Sequence, residues 1–453
     1  MKNRDQYKRL TEFIEVAIIF AIHSALYLII WTTLYQDMTE APLFRRGNWA
    51  IVAAYPILLF VFGKVFGAFR ISSRRIDIIF SHIGTLVIVN LLSYFIIVLA
   101  TRVYVTVWPL IVLFVVEVAL TVIWIILVKK INLILYPVRR MLLIHGGYSY
   151  KDIVFTMNTK SERYVVKETI DADEDIEVIK GRIADYESIL ISDIPAQRRN
   201  DILKYCYEIN KRVYMTPKLS DILIRSAGDV HVGDTQIFLL KNYGLSAEQR
   251  FIKRLFDIVV SGLMIAVSSP LMLIVAILIR AEDKGPVFYR QERYTMNARK
   301  FKIIKFRSMI VDAEKDGFIP STEGDPRVTK VGKFIRATRI DELPQIINIL
   351  KGDMSWVGPR PERTEHVEEY TKNIPEFNYR LLVRGGLTGY AQVYGKYNTT
   401  AYDKLRLDLI YIENFSILMD LRILVLTLKI IFTPEATEGF SQEDSDRISG
   451  KDE

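Results

Sequence analysis

Two adjacent carboxylates, Asp341 and Glu342, stand in the run Arg336-Ala-Thr-Arg-Ile-Asp-Glu-Leu-Pro-Gln345. Their type and spacing suit phosphate chemistry. One carboxylate can attack a phosphorus atom while its neighbour holds a divalent cation. The flanking arginines can hold the rest of a diphosphate by forked hydrogen bonds. An isolated Asp-Glu pair is more often ordinary charge in the first turn of a helix. The setting favours chemistry here, because the pair lies in a basic region that follows a membrane-length apolar segment.

Other reactive residue types are sparse. The one cysteine, Cys206, excludes an intrachain disulfide and fits a reducing compartment. Histidines 23, 82, 145, 231 and 366 show neither zinc-ligand spacing nor a Ser-His-Asp arrangement. Asp171-Ala-Asp173 mimics a metal-binding Asp-x-Asp, but it lies in an acidic stretch and reads as a solvated loop. Gly146-Gly147 follows a short apolar strand, yet the full Gly-x-Gly-x-x-Gly fingerprint is missing.

The elements that must position the carboxylates begin in a membrane. Of the 453 residues, 50% are hydrophobic, and four apolar runs crowd the first third, at about 12–34, 49–69, 82–100 and 107–128. A helix needs about 20 residues to cross the hydrocarbon core, so each run can span. The first is too long for a signal peptide and has no small-residue cleavage pattern. Lys2, Arg4, Lys8 and Arg9 precede the first run, Arg70, Arg74 and Arg75 follow the second, and Lys129, Lys130, Arg139 and Arg140 follow the fourth. The alternate loops hold only Arg45, Arg46 and Arg102, so the N-terminus and the chain after the fourth run are expected in the cytoplasm. The net charge of +8 clusters beside membrane segments and the carboxylate pair. That distribution argues for anionic lipid and phosphate partners and against nucleic acid.

Four regions are expected: a four-helix transmembrane domain over 1–137, a Rossmann-like α/β domain over 138–245, an α+β catalytic domain over 246–434, and a disordered acidic tail over 435–453. Strands are expected at 141–145, 188–192 and 212–215, a helix at 196–210 and a linker at 241–250. A fifth apolar run, 255–279, is interrupted by Ser268-Ser269-Pro270. Proline removes a helical hydrogen bond, and neither arm alone covers the roughly 30 Å core. Lys284, Arg290, Arg293, Arg299 and Lys300 follow it, so a re-entrant hairpin is preferred to a crossing helix. Leu343, Ile346, Ile347 and Leu350 share a helical face, so the carboxylate pair is expected to open an amphipathic helix.

From about residue 251 to 431 the chain resembles the bacterial polyprenyl-phosphate sugar-1-phosphate transferases, which initiate exopolysaccharide, capsule and O-antigen synthesis. The resemblance rests on Lys305-Phe-Arg-Ser-Met309, Asp341-Glu-Leu-Pro-Gln345, Lys351-Gly-Asp-Met-Ser355, Gly358-Pro-Arg-Pro-Glu362 and Gly386-Leu-Thr-Gly-Tyr-Ala-Gln392. It implies that Asp341 is the nucleophile toward the sugar-bearing phosphate of a UDP-sugar and that Glu342 holds Mg²⁺. It implies phosphate contacts for Lys305, Arg336 and Arg360, and a re-entrant-helix break at Ser269 and Pro270. Undecaprenyl phosphate would be the acceptor, in the bacterial inner membrane, with glucose or galactose the default sugars. A second copy of the chain and other polysaccharide-assembly proteins are candidate partners. The sequence departs from the family where Thr295 and Ala298 replace usual glycines, and where Lys396 replaces an arginine and loses its forked geometry. Asp408 and Asp420 resemble acidic family positions and serve equally well as ion-pair partners.

Three rivals are weaker. An inverting glycosyltransferase wants a convincing Asp-x-Asp in a nucleotide-binding domain. A non-catalytic scaffold would be favoured by loss of the Asp-Glu pair, which is present. A transporter wants buried ionisable residues, and the first four runs offer little beyond Glu117 and His23.

Overall fold

The computed structural model describes residues 7–36, 45–71, 75–147, 150–160, 163–240, 244–311, 313, 325–395 and 400–431. Lys396 and the expected tail lie outside them. The chain divides into two compact units, Met1–Lys218 and Leu219–Glu453.

The first unit opens with four long apolar helices: α1 (Lys8–Ile30, continued to Tyr35 by a wider turn), α2 (Arg45–Phe66), α3 (Arg75–Thr101) and α4 (Trp108–Leu135). Each is long and apolar enough to cross a membrane. Their outward faces expose residues such as Ile57, Leu91, Leu99 and Ile123, while Tyr27, Tyr55, Leu86 and Leu113 pack between them. The chain then forms β1 (Arg139–His145), α5 (Tyr150–Lys160), β2 (Tyr164–Asp171), α6 (Ile176–Asp185), β3 (Ser188–Ser192), α7 (Ala196–Glu208) and β4 (Arg212–Met215). The strands pair in parallel in the order β2-β1-β3-β4. β1 and β3 read as unbroken apolar runs because both sheet faces are covered. Leu142 and Ile144 meet Ile179, Ile183 and Ile202 on one face, and Met141 and Leu143 meet Ile153, Val154 and Met157 on the other.

The second unit contains α8 (Leu219–Ser226), the hairpin β5 (Gly228–Val232) and β6 (Thr235–Leu239), and α9 (Ala247–Asp283). Antiparallel strands β7 (Phe288–Tyr294) and β8 (Lys300–Phe306) follow, then α10 (Lys330–Ala337), α11 (Gln345–Lys351), β9 (Met354–Val357), α12 (Thr364–Asn373), β10 (Gly385–Thr388), α13 (Tyr390–Tyr394), α14 (Ala401–Glu413) and α15 (Ile417–Ile431). Its core joins Ile346, Ile349, Met354, Val357, Phe377, Leu405, Leu409 and Ile423 with Ile222 of α8. Residues 219–239, read from the sequence with the α/β region, therefore fall in this unit.

Two expectations about α9 change. Helix begins inside the expected linker, because Ser246 and Gln249 form a reciprocal cap: Ser246 Oγ accepts from Gln249 N and Gln249 Oε1 accepts from Ser246 N. Nor does the helix end at Ser269–Pro270. It runs 37 residues, about 55 Å at 1.5 Å per residue. Pro270 cannot donate to the carbonyl four residues back, on Ala266, and the Ser269 hydroxyl donates to that oxygen instead at 3.4 Å.

Both ends of α9 are tied to the second unit. Near its start, Lys253 meets Asp420 at 2.6 Å, Arg254 donates to the Ile349 and Leu350 carbonyls, and Asp257 accepts from Ser355 and the Trp356 amide. At its far end Asp283 receives Arg307 Nη1 at 2.6 Å, and Glu282 accepts from the Lys330 amide at 2.8 Å. Val259, Leu263, Val267, Leu273 and Ile274 between them are exposed.

Candidate active site

The carboxylate pair does not open α11. It occupies a tight turn, Ile340–Glu342, one turn ahead of that helix. Pro344 again supplies the reason. Without an N–H it cannot reach the Ile340 carbonyl, which accepts from Leu343 N at 3.1 Å instead. Arg339 enters the turn with φ 57°, a left-handed conformation costly for a residue with a Cβ. α11 has seven residues and packs through Ile346 and Ile349, while Leu343, Ile347 and Leu350 are only partly buried.

Asn348, which the sequence reading passed over, fixes this helix to β8. Its Nδ2 donates to Lys302 O at 2.9 Å and its Oδ1 accepts from Ile304 N at 3.0 Å. One buried amide thus continues the β8 backbone bonding and brings Lys305 to Glu342.

Glu342 Oε1 accepts from Lys305 Nζ at 2.8 Å and from Arg360 Nη2 at 3.2 Å. The Arg360 side chain stays 40% accessible, so it can also meet an incoming anion. Burial alone would raise the Glu342 carboxyl, but Lys305 and Arg360 outweigh it and hold it well below the usual carboxylate range. Asp341 is placed oppositely. Its Oδ1 is buried and accepts no hydrogen bond from the described residues. Burial first, and the neighbouring Glu342 charge second, push its carboxyl up from its ordinary value, against the pull of Lys305, Arg339 and Arg336. The structure thus brings Lys305, Glu342 and Arg360 together beside Asp341, with Arg336 half-buried on the preceding helix. Asp408 and Asp420 are taken by structural pairs, with Arg380 at 2.7 Å and Lys253 at 2.6 Å.

The donor set suits Mg²⁺. Among the described residues no three acidic, histidine or cysteine side chains gather for a metal. Mg²⁺ commonly takes only one or two carboxylates and completes its shell with water and substrate phosphates. Glu342, held beside Lys305 and Arg360, can supply one such carboxylate.

A glutamate held by two cations beside a partly free aspartate, in a unit containing a membrane-length apolar helix, marks a membrane protein with a charged candidate site. The comparisons agree. The family model for bacterial sugar transferases matches residues 248–434. A UDP-N-acetylgalactosamine-undecaprenyl-phosphate N-acetylgalactosaminephosphotransferase of Aeromonas hydrophila is 42% identical over 224 residues, 49% of this chain and 52% of its own. A UDP-glucose:undecaprenyl-phosphate glucose-1-phosphate transferase of Klebsiella pneumoniae is 45% identical over 181 residues, 39% of each chain. One of the same name from Caulobacter vibrioides is 39% identical over 188 residues, 40% of this chain and 70% of its own. The chain thus spans about half or less of the length of the first two relatives and most of the third. It belongs to the bacterial sugar transferase family.

Proposed function

We propose that the chain transfers a sugar 1-phosphate from a UDP-sugar to undecaprenyl phosphate, the first membrane step of a polysaccharide. The observation that carries this is the pairing of an unpartnered, buried Asp341 oxygen with a Glu342 neutralised by Lys305 and Arg360. A carboxylate oxygen without a hydrogen-bond partner keeps its lone pairs for an electrophile.

The Asp341 carboxylate attacks the sugar-bearing phosphorus. The bond from that phosphorus to the oxygen bridging the two phosphates breaks, and UMP leaves with the electron pair. A phosphate oxygen of undecaprenyl phosphate then attacks the same phosphorus, the bond to Asp341 breaks, and the carboxylate is regenerated with undecaprenyl diphosphate-sugar as product. Lys305 and Arg360 are assigned to balance charge on the transferred phosphate, and Arg336 and Lys396 to the same anionic substrates. Mg²⁺ held by Glu342 and substrate phosphates would offset repulsion between the diphosphate and the carboxylates.

The fastening of α9 at both ends to one unit supports a re-entrant anchor, since a crossing helix would need that unit on both sides of the bilayer. Undecaprenyl phosphate would then arrive from the leaflet and the UDP-sugar from the cytoplasm. Asn378 and Tyr207 are exposed, so cysteines at both, in a Cys206→Ala background, should resist an impermeant thiol reagent in intact cells. Labelling of residue 378 alone would refute the anchor.

The mechanism is tested with UDP-sugar labelled in the β-phosphate and no lipid acceptor. Wild-type protein should retain label and release UMP, and Asp341→Asn should do neither. UMP release that waits for undecaprenyl phosphate would favour a one-step transfer. A panel of UDP-sugars in the same assay identifies the sugar.

A further inference from the structure

Arg360 lies in the loop Gly358-Pro-Arg-Pro-Glu362, and three consecutive carbonyls of that loop are gripped from outside it. Pro359 O accepts from the Gly386 amide at 2.9 Å. Arg360 O accepts from Arg380 Nη2 at 3.0 Å, and Pro361 O accepts from Arg293 Nη1 at 3.1 Å. Two arginines from separate elements thus hold the backbone of a third. Arg293 comes from β7 and Arg380 from the tight helical turn Pro375–Leu382.

Burying such a guanidinium is costly unless it is paired. Arg380 is 3% exposed, and it is held by Asp408 of α14, 1% exposed, at 2.7 Å. Glu362 adds a second carboxylate, 3.9 Å from Arg380 and 3.7 Å from Lys404. Arg293 is held by Gln291 Oε1 at 2.6 Å. The fold therefore spends an ion pair and a polar contact to hold a loop that carries no apolar core residue at position 360. Proline on both sides of Arg360 restricts φ but removes the donors that would otherwise bond this segment. The outside grip replaces them.

We propose that Arg380, with its counter-ion Asp408, and Arg293 are positioning residues: they fix the Arg360 backbone so that its guanidinium meets both Glu342 and the transferred phosphate. The inference rests on the phosphate-holding role given to Arg360 above. Lysine at either position keeps the charge but loses the fork that reaches carbonyl and partner together.

The test is a double-mutant cycle in full-length protein in lipid nanodiscs, following UMP release from UDP-sugar. Arg380→Lys and Arg293→Lys should each lower kcat/KM about tenfold to a hundredfold, the range expected when a catalytic contact is misplaced by about 1 Å. Arg360→Ala should lose at least as much. Adding either lysine substitution to Arg360→Ala should cost less than about twofold more, because a grip acting through Arg360 has nothing left to hold. Losses that multiply would overturn the grip while leaving the phosphate role of Arg360 intact. An Arg360→Ala protein at the wild-type rate would overturn that role and the proposal with it. Melting curves on each variant identify a misfolded Arg380→Lys protein, in which case the Arg293→Lys cycle decides.

Discussion

The membrane-length helices and the second unit each hold an acidic side chain among charged or polar neighbours, Glu117 and Asp341, and the two are treated in opposite ways. Glu117 in α4 has both oxygens occupied: Tyr55 of α2 donates to Oε1, and Asn90 of α3 donates to Oε2 at 2.9 Å. His23 of α1 stands 3.6 Å away. The result joins all four helices through one carboxylate. Asp341 is partly buried beside another acid, with its buried Oδ1 unpartnered. A carboxylate with both oxygens hydrogen-bonded organises packing, whereas the free Asp341 oxygen needs a separate explanation.

Substitutions can break this contrast. The largest effect is expected at Asp341. Asp341→Asn should lower transfer by several orders of magnitude. The folded protein raises the Asp341 pKa, so its ionised form costs stability above the ordinary aspartate range, and that cost fades as the pH falls. The amide removes it, so the melting midpoint at neutral pH, in EDTA, should rise for Asp341→Asn, by a gain of about 1 kcal/mol. A lower midpoint would remove the case for a carboxylate kept for chemistry at the expense of the fold.

Glu342→Gln should follow, with transfer reduced about 100-fold or more. Its loss should shrink as Mg²⁺ is raised, whereas that of Asp341→Asn should not. Identical Mg²⁺ responses would merge the two roles. Glu117→Ala should behave in the opposite way. UMP release should stay within about twofold, while stability falls by about 1–2 kcal/mol as Tyr55 and Asn90 lose their acceptor. The smallest effect is expected at the β7–β8 turn, where Ala298 has φ 54°. Ala298→Gly relieves left-handed strain but adds unfolded-state freedom, for a net gain below about 1 kcal/mol in thermal unfolding.

The last case marks a limit of sequence reading. The missing glycines signalled an unusual turn, but only the backbone reveals that Asn297 and Ala298 take left-handed conformations regardless. Membrane-length helices were legible because composition dictates them. β1 and β3 were legible because covered parallel strands are short apolar runs, and β4, an edge strand with no buried residue, was legible from its Val213-Tyr-Met215 run. β2 was not, since Lys167, Glu168 and Thr169 interrupt its apolar pattern near a sheet edge. In the site, Asp341, Glu342, Lys305 and Arg360 were legible as motif residues. Asn348, Arg293 and Arg380 were not, because their work is to bond backbone carbonyls and amides far away in sequence, which leaves no spacing to read. The turn at 340–342 escaped because helical periodicity in 343–350 extends naturally back through it, and one missing proline N–H stops it.

The fastening of α9 by Lys253–Asp420 at one end and Asp283–Arg307 at the other bears on how the protein responds to bilayer thickness. A helix that matches two interfaces answers a thicker hydrocarbon layer by tilting. In the re-entrant arrangement proposed above, a helix held at both ends by one body would answer to a single leaflet, and its depth would be set by its own tethers. Acyl-chain length in the opposite leaflet then has no lever on the distance between Asp341 and the headgroups, so hydrophobic mismatch is screened from the chemistry.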